Sequence, residues 1–278
     1  MAIRNWFITG ASSGLGRILT EKLLARGDRV VATVRQANTV ADLKTQHPEQ
    51  LSVAIADMTD TAGLRQAIDE SFARLGRIDV IVSNAGYGLF GAAEELTDAQ
   101  IDQQIATNLT GSIQLIRAAL PHLRTQGGGR IVQVASEGGQ IAYPGFSLYH
   151  ATKWGIEGFV EALAKEVAPF GIDFVIIEPG PTKTNFGSGL VQAKPLPEYA
   201  GKPADEIRRA FTSGSFPIKG DAARTVDAMI SAADAKHPPL RLTLGSTAYA
   251  SISKALSERL QSLEAQRQIA HSADAPGY

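Results

Sequence analysis

The chain has no cysteine. Disulfides, thiolate metal ligands and cysteine nucleophiles are therefore excluded, which fits a reducing compartment. Lys and Arg form no long run and the formal net charge is −1, so no basic footprint for nucleic acid or a membrane surface is present. No apolar run approaches the ~18 residues of a membrane span. The start, Met1 to Thr9, lacks the apolar stretch and small-residue cleavage site of a signal peptide. Internal repeats and low-complexity tracts are also missing. A cytoplasmic protein without nucleic-acid or membrane partners is expected.

What is there suits one large core: 278 residues, 44% of them hydrophobic. Trp6-Phe-Ile8 reads as a strand and runs into Thr9-Gly10-Ala-Ser-Ser-Gly14-Leu-Gly16. Leu15, Ile18, Leu19, Leu23 and Leu24 then follow at helical spacing until Gly27. Strand, glycine loop and helix form the context in which backbone approaches a pyrophosphate resting on a helix N-terminus. The spacing is Gly-x-x-x-Gly-x-Gly, so the commoner Gly-x-Gly-x-x-Gly fingerprint does not apply as written.

Further strands are read at Val30–Val34, Leu51–Ala56, Val80–Val82, Ile131–Ala135, Asp173–Ile177 and Leu240–Leu244. With the helices between them they predict an α/β fold: a Rossmann-type, doubly wound parallel sheet of about seven strands in a single domain. Arg35 follows the second strand, where NAD enzymes of this architecture place an acid. An arginine there accommodates a 2′-phosphate. Ile101, Ile105, Leu109, Ile113, Ile116 and Leu120 trace one long helical stripe, with Asn108 inside it.

Tyr149 and Lys153 lie four apart at the head of a helical pattern, hence on one face, one turn apart. An ammonium so placed stabilises a phenolate and moves the phenol toward acid–base work. Ser136, thirteen positions before Tyr149, ends the strand at Ile131–Ala135, and open α/β sheets bind ligands at such ends.

Together, in order, Thr9-Gly-x-x-x-Gly-x-Gly16, Asn84-Ala-Gly86, Asn108, Ser136, Tyr149-x-x-x-Lys153 and Pro179-Gly180 resemble the short-chain dehydrogenase/reductase family. The resemblance runs from Trp6 to about Thr184. It implies Tyr149 as general acid/base, Lys153 lowering its pKa and bonding the nicotinamide ribose, Ser136 orienting the reacting oxygen, and Asn108 holding a water in a relay toward Lys153. It also implies a cofactor site. Gly10, Ser12, Ser13, Gly14, Leu15 and Gly16 would line the pyrophosphate, Asp57 and Met58 the adenine, and Asn84, Ala85 and Gly86 the adenosine side. Pro179, Gly180, Thr182 and Thr184 would flank the nicotinamide, and no metal is involved. With Arg35, NADP(H) is expected over NAD(H), in a homo-oligomer (dimer or tetramer). Glu137 beside Ser136 is a departure, and His150, pointing elsewhere on its helix, reads as non-catalytic.

The implied reaction is hydride transfer between nicotinamide and a carbonyl or alcohol. Rival readings are a reductase of carrier-bound 3-oxoacyl groups, with Arg208-Arg209 meeting an acidic carrier, and a non-catalytic NADP-binding sensor. Residues 182–220 are rich in proline and glycine, with scattered apolar side chains and a short helix near Ala204–Phe211. They read as a lid of little regular structure, closing over a small lipophilic ketone or alcohol. Tyr143, Pro144 and Phe146 would form the opposite wall.

Overall fold

A computed structural model describes residues 3–275. The chain begins β1 (Asn5–Thr9), α1 (Gly14–Arg26), β2 (Arg29–Val34), α2 (Ala41–Gln46), β3 (Leu51–Ile55), α3 (Thr61–Leu75), β4 (Val80–Ser83). It continues through the two-residue β5 (Leu89–Phe90), α4 (Asp98–Ile105), α5 (Gly111–Thr125), β6 (Gly129–Val134), α6 (Ser147–Val167) and β7 (Ile172–Pro179). It ends with β8 (Val191–Gln192), α7 (Pro203–Thr212), α8 (Ala222–Asp234), β9 (Arg241–Leu244), α9 (Ser246–Ala265) and α10 (Arg267–Ser272).

Seven strands form one parallel sheet in the order β3-β2-β1-β4-β6-β7-β9. Helices cover both faces, which is why the strands read as apolar runs rather than alternating ones. On β1, Trp6 and Ile8 join a core with Leu19 and Leu23 of α1 and Val226 and Met229 of α8. Phe7, between them, faces the other side and joins Ile68 of α3, Leu115 of α5 and Val160 of α6. The chain leaving β1 thus builds one face, and the chain leaving its neighbour β4 supplies α5 to the other. That divergence opens a crevice at the carboxyl ends of the two strands.

Two expectations are corrected. The stripe from Ile101 to Leu120 is not one regular helix: α4 and α5 are joined by a π-helical turn, Ala106–Thr110, with Asn108 buried in it. Residues 182–220 are not structureless either. β8 pairs with β5 and Pro197–Tyr199 forms a 3₁₀ turn, while α7 is the short helix expected near Ala204–Phe211, ten residues long. Pro203 at its start and Asp205 and Glu206 in its first turn suit a helix N-terminus.

Candidate active site

The turn after β1 uses glycine where geometry requires it. Gly10 and Gly14 have φ of +69° and +57°, in the left-handed region. At Gly16 a methyl group would stand 2.4 Å from the Gly10 carbonyl oxygen and 2.5 Å from Asn84 Nδ2. Asn84 is there to hold the turn. Its Nδ2 donates to the carbonyls of Thr9 and Gly10 at 2.9 and 3.2 Å, while the Asn84 and Ala85 amides donate to Thr9 Oγ1.

The first amides of α1 stay open. Ser13, at the N-cap, makes no side-chain bond to them, and the first turn has no acidic residue. Ser12 and Ser13 are exposed. Over Gly14 the nearest group is Thr184, 3.8 Å from where a methyl would lie. Uncapped amides at the positive end of a helix form an anion cradle, which suits a dinucleotide's pyrophosphate. Gly16→Ala is expected to force this turn apart, because the obstructing carbonyl is backbone. The stability loss should be about 1–3 kcal/mol, typical of overpacking, with weakened dinucleotide binding. Thermal unfolding and cofactor titration check this; unchanged values in both would show the contact to be slack.

Arg35 and Asp57 end up exposed, just past β2 and β3. The Thr59 amide and hydroxyl donate to Asp57 Oδ1 at 2.8 and 2.7 Å and hold its carboxyl below the usual range, with a smaller pull from Arg35. Met58 is buried, its carbonyl close against Gly111.

Asn108 does not present a free amide. Its Oδ1 accepts the Tyr87 N–H at 3.1 Å and its Nδ2 donates to the Tyr87 carbonyl at 2.8 Å. Gln104 donates to the same carbonyl, and Gly86 lies close enough that a methyl would meet Asn108 Oδ1 at 3.2 Å. The wide turn thus fastens the loop that carries Asn84, Ala85 and Gly86.

Ser136 caps the turn Glu137–Gly139, its Oγ accepting the Gly138 N–H at 3.1 Å. It also lies near enough to the Tyr149 phenol to influence its titration. Lys153 Nζ lies 5.6 Å from the Tyr149 ring centroid and donates to the Val134 carbonyl at 3.0 Å. Burial pushes the phenol up to about 12; the Ser136 hydroxyl works against this, and Glu137 and Glu157 add to it. Burial also pushes Lys153 down to about 8, against the attraction of Glu157. The expected lowering of the phenol's pKa is therefore not what the chain alone displays. Removal from water prevails, and the Lys153 ammonium is engaged by the Val134 carbonyl.

Glu137 is taken up by the Tyr143 hydroxyl at 2.7 Å and by Ser251 of α9 at 2.8 Å. Pro179 and Gly180 are half-buried, and Thr182 Oγ1 donates to the Gly180 carbonyl at 2.8 Å. A bridge between Thr182 and Gly220 closes the base of the 182–220 segment.

Aromatic rings stand beside the tyrosine. Phe146 packs edge-on to Tyr149 and to Phe90, at 6.0 and 4.9 Å between centroids, and Phe186 lies 5.7 Å from Tyr149. Phe211 of α7 meets Phe90 and Phe146 and stacks on Phe216 at 4.2 Å. Pro144, expected in the wall, is exposed, and the Tyr143 hydroxyl is turned to Glu137. Phe90 was missed: it sits in a two-residue strand, too short for any periodicity to show. Also missed was Glu95, fully buried and paired with Arg208 of α7.

The sequence matches the short chain dehydrogenase family over residues 4–195. Oxidoreductase BOA17 of Botryotinia fuckeliana is 36% identical over 246 residues, 86% of this chain and 88% of that protein. The 3-ketodihydrosphingosine reductase of Bacteroides thetaiotaomicron is 31% identical over 248 residues, 86% of each chain. The crystal structure of a short-chain dehydrogenase from Streptomyces avermitilis is similar with a TM-score of 0.91 and 37% identity, covering 98% of this chain and 99% of that one.

Proposed function

The chain belongs to the short-chain dehydrogenase/reductase family, and from that premise we propose that it transfers hydride between NADP(H) and a lipophilic ketone or secondary alcohol. The observation that carries this reading is Tyr149: a half-buried tyrosine whose phenol has Ser136 beside it and the Lys153 ammonium 5.6 Å from its ring centroid.

In the reducing direction Tyr149 gives its proton to the substrate oxygen, and Ser136 donates a hydrogen bond to that oxygen as charge develops on it. The hydride comes from the bound nicotinamide. Lys153 keeps positive charge close to the phenol. Asn108, its side chain engaged by Tyr87, holds a water in a relay toward Lys153.

Gly10, Ser12, Ser13, Gly14, Leu15 and Gly16 hold the pyrophosphate. Asp57 and Met58 meet the adenine, and the loop of Asn84, Ala85 and Gly86 the adenosine side. Pro179, Gly180, Thr182 and Thr184 flank the nicotinamide. Arg35 reads the 2′-phosphate. Because Arg35 is exposed, its charge-assisted bond falls at the weak end, so Arg35→Ala should weaken NADPH roughly tenfold and leave NADH nearly unchanged. Equal dissociation constants of the wild type for the two cofactors would overturn the preference.

The substrate class rests on the aromatic wall of Phe90, Phe146, Phe186 and Phe211 beside Tyr149. A relative named for reducing 3-ketodihydrosphingosine is consistent with it. We read residues 182–220 as the cover of this pocket. The carrier-protein reading is weakened, since Arg208 is committed to the buried Glu95 and leaves Arg209 as the exposed member of the pair. NADPH oxidation measured against aromatic, steroidal, aliphatic and carrier-bound ketones tests the proposal. Turnover of apolar ketones is expected; turnover of the carrier-bound ketone alone, or of none, would refute it.

A further inference from the structure

His150 is the neighbour of Tyr149, and its ring is buried. Nε2 accepts the main-chain N–H of Tyr143 at 2.8 Å, and Nδ1 lies 2.8 Å from the Gly138 carbonyl oxygen. An amide N–H only donates and a carbonyl only accepts, so the ring carries its proton on Nδ1 and none on Nε2. The neutral imidazole thus spans the segment that joins Ser136 to α6. One end of that segment is also held by Ser136 Oγ on the Gly138 amide, and the other by the Tyr143 hydroxyl on Glu137. The fit is close: a methyl at Gly138 would stand 2.8 Å from His150 Nδ1.

We propose that His150 is a positioning residue, clamping the 138–143 segment as a neutral imidazole and through it setting the Ser136 hydroxyl against the Tyr149 phenol. Its consequence for turnover rests on the function proposed above; the clamp itself does not. A proton on Nε2 would set two donors face to face, so either the ring or the Tyr143 amide must turn away and stay buried without a partner. The clamp therefore opens on acidification.

The groups around the ring do not supply a competing charge. Tyr143 and Tyr149 lie 5.6 and 6.0 Å away, centroid to centroid. Glu137 meets Tyr143, Lys153 stands on the next turn of α6, and Glu157 lies against Gly139 with its charge taken up by Gln140 Nε2 at 2.6 Å and by Arg241, while α9 approaches through Ser251 on Glu137 and Arg259 on the Gln140 carbonyl. Burial pushes the imidazole below its ordinary value, with the Gly138 carbonyl opposing. The clamp is accordingly closed at neutral pH and lost as pH falls through a value below the usual imidazole range.

The test compares wild type, His150→Gln and His150→Leu. A glutamine amide offers one acceptor and one donor about as far apart as the two ring nitrogens, and it does not titrate. Two quantities are followed against pH: kcat for the best apolar ketone with NADPH, and hydrogen-exchange protection of residues 137–146. Wild-type kcat should fall about tenfold per pH unit below the histidine's pKa. His150→Gln should match wild type within a few-fold at neutral pH and lack that acid limb. His150→Leu should lose about 10²-fold at every pH through misplacement of the reacting groups. An acid limb surviving unchanged in His150→Gln, or wild-type kcat in His150→Leu, would overturn the proposal. If no ketone is turned over, the proposed function fails but exchange still decides the clamp. Wild-type protection must then drop on acidification while the glutamine variant's holds, and identical behaviour of the two would refute it.

Discussion

Tyr149→Phe is expected to lower kcat for ketone reduction by about 10²–10⁴, the usual contribution of a positioned general acid. The ring of phenylalanine fills the same space beside Phe146 and Phe186, so packing is retained and only the hydroxyl is lost. NADPH affinity should barely change, because the pyrophosphate cradle at Gly10, Gly14 and Gly16 is a separate piece of the structure. Steady-state kinetics and a cofactor titration check both halves. A variant with half of wild-type activity would remove Tyr149 from the mechanism.

The direction of the reaction enters through the same group. With burial pushing the phenol up to about 12, Tyr149 is protonated through the neutral range and ready to donate in reduction. Oxidation needs the phenolate, so the oxidative rate should climb with pH. Lys153, pushed down to about 8 by burial, keeps its charge below that value and loses it above, so wild-type reduction should decline on the alkaline side of pH 8.

Much of this arrangement is legible in the sequence because it depends on short-range pattern. Val30–Val34 and Ile131–Ala135 read as strands since both faces of the sheet are covered, and the glycine turn shows itself by spacing. The π turn at Asn108 was not legible. The apolar row Ile101, Ile105, Leu109 and Ile113 does not mark the buried face, since Ile105 ends exposed, and the residues buried there are the polar Gln104 and Asn108. The pKa of Tyr149 was not legible, because it depends on groups that meet only in the fold, Glu157 and the post-β7 Phe186 among its neighbours. Arg208 reads as a cation available to an acidic carrier for a similar reason: its partner Glu95 lies 113 residues earlier.

That pair carries the second large effect. Glu95→Ala is expected to release α7 and the chain leading into it. Glu95 has no exposed side-chain surface; its Oε1 accepts the Leu196 N–H at 3.0 Å, and its Oε2 accepts the Ala92 N–H at 2.8 Å and the Arg208 guanidinium. Burial pushes the carboxyl up, but these three donors outweigh it and hold the pKa below the ordinary value. The stabilisation is thus present above the usual carboxylate range and is lost as pH falls through the lowered value. Removing one partner of a buried pair costs about 3–5 kcal/mol because the other charge is stranded. Arg208 can escape that fate if α7 lifts into water, although its guanidinium then leaves the face of Phe90, 5.5 Å away. The loss should therefore appear as local opening, with Tm falling by less than the roughly 2–4 °C per kcal/mol of a global effect. Proteolysis between residues 196 and 216 should accelerate, and kcat/KM for bulky apolar ketones should fall as Phe211 leaves the wall, while small ketones are spared. Combining Glu95→Met with Arg208→Met should restore protection, since apolar replacement of a buried pair is often neutral. If Tm drops by the full amount and cleavage stays as slow as in wild type, the segment unfolds only with the whole domain, and residues 182–220 are a fixed wall and not a cover that opens.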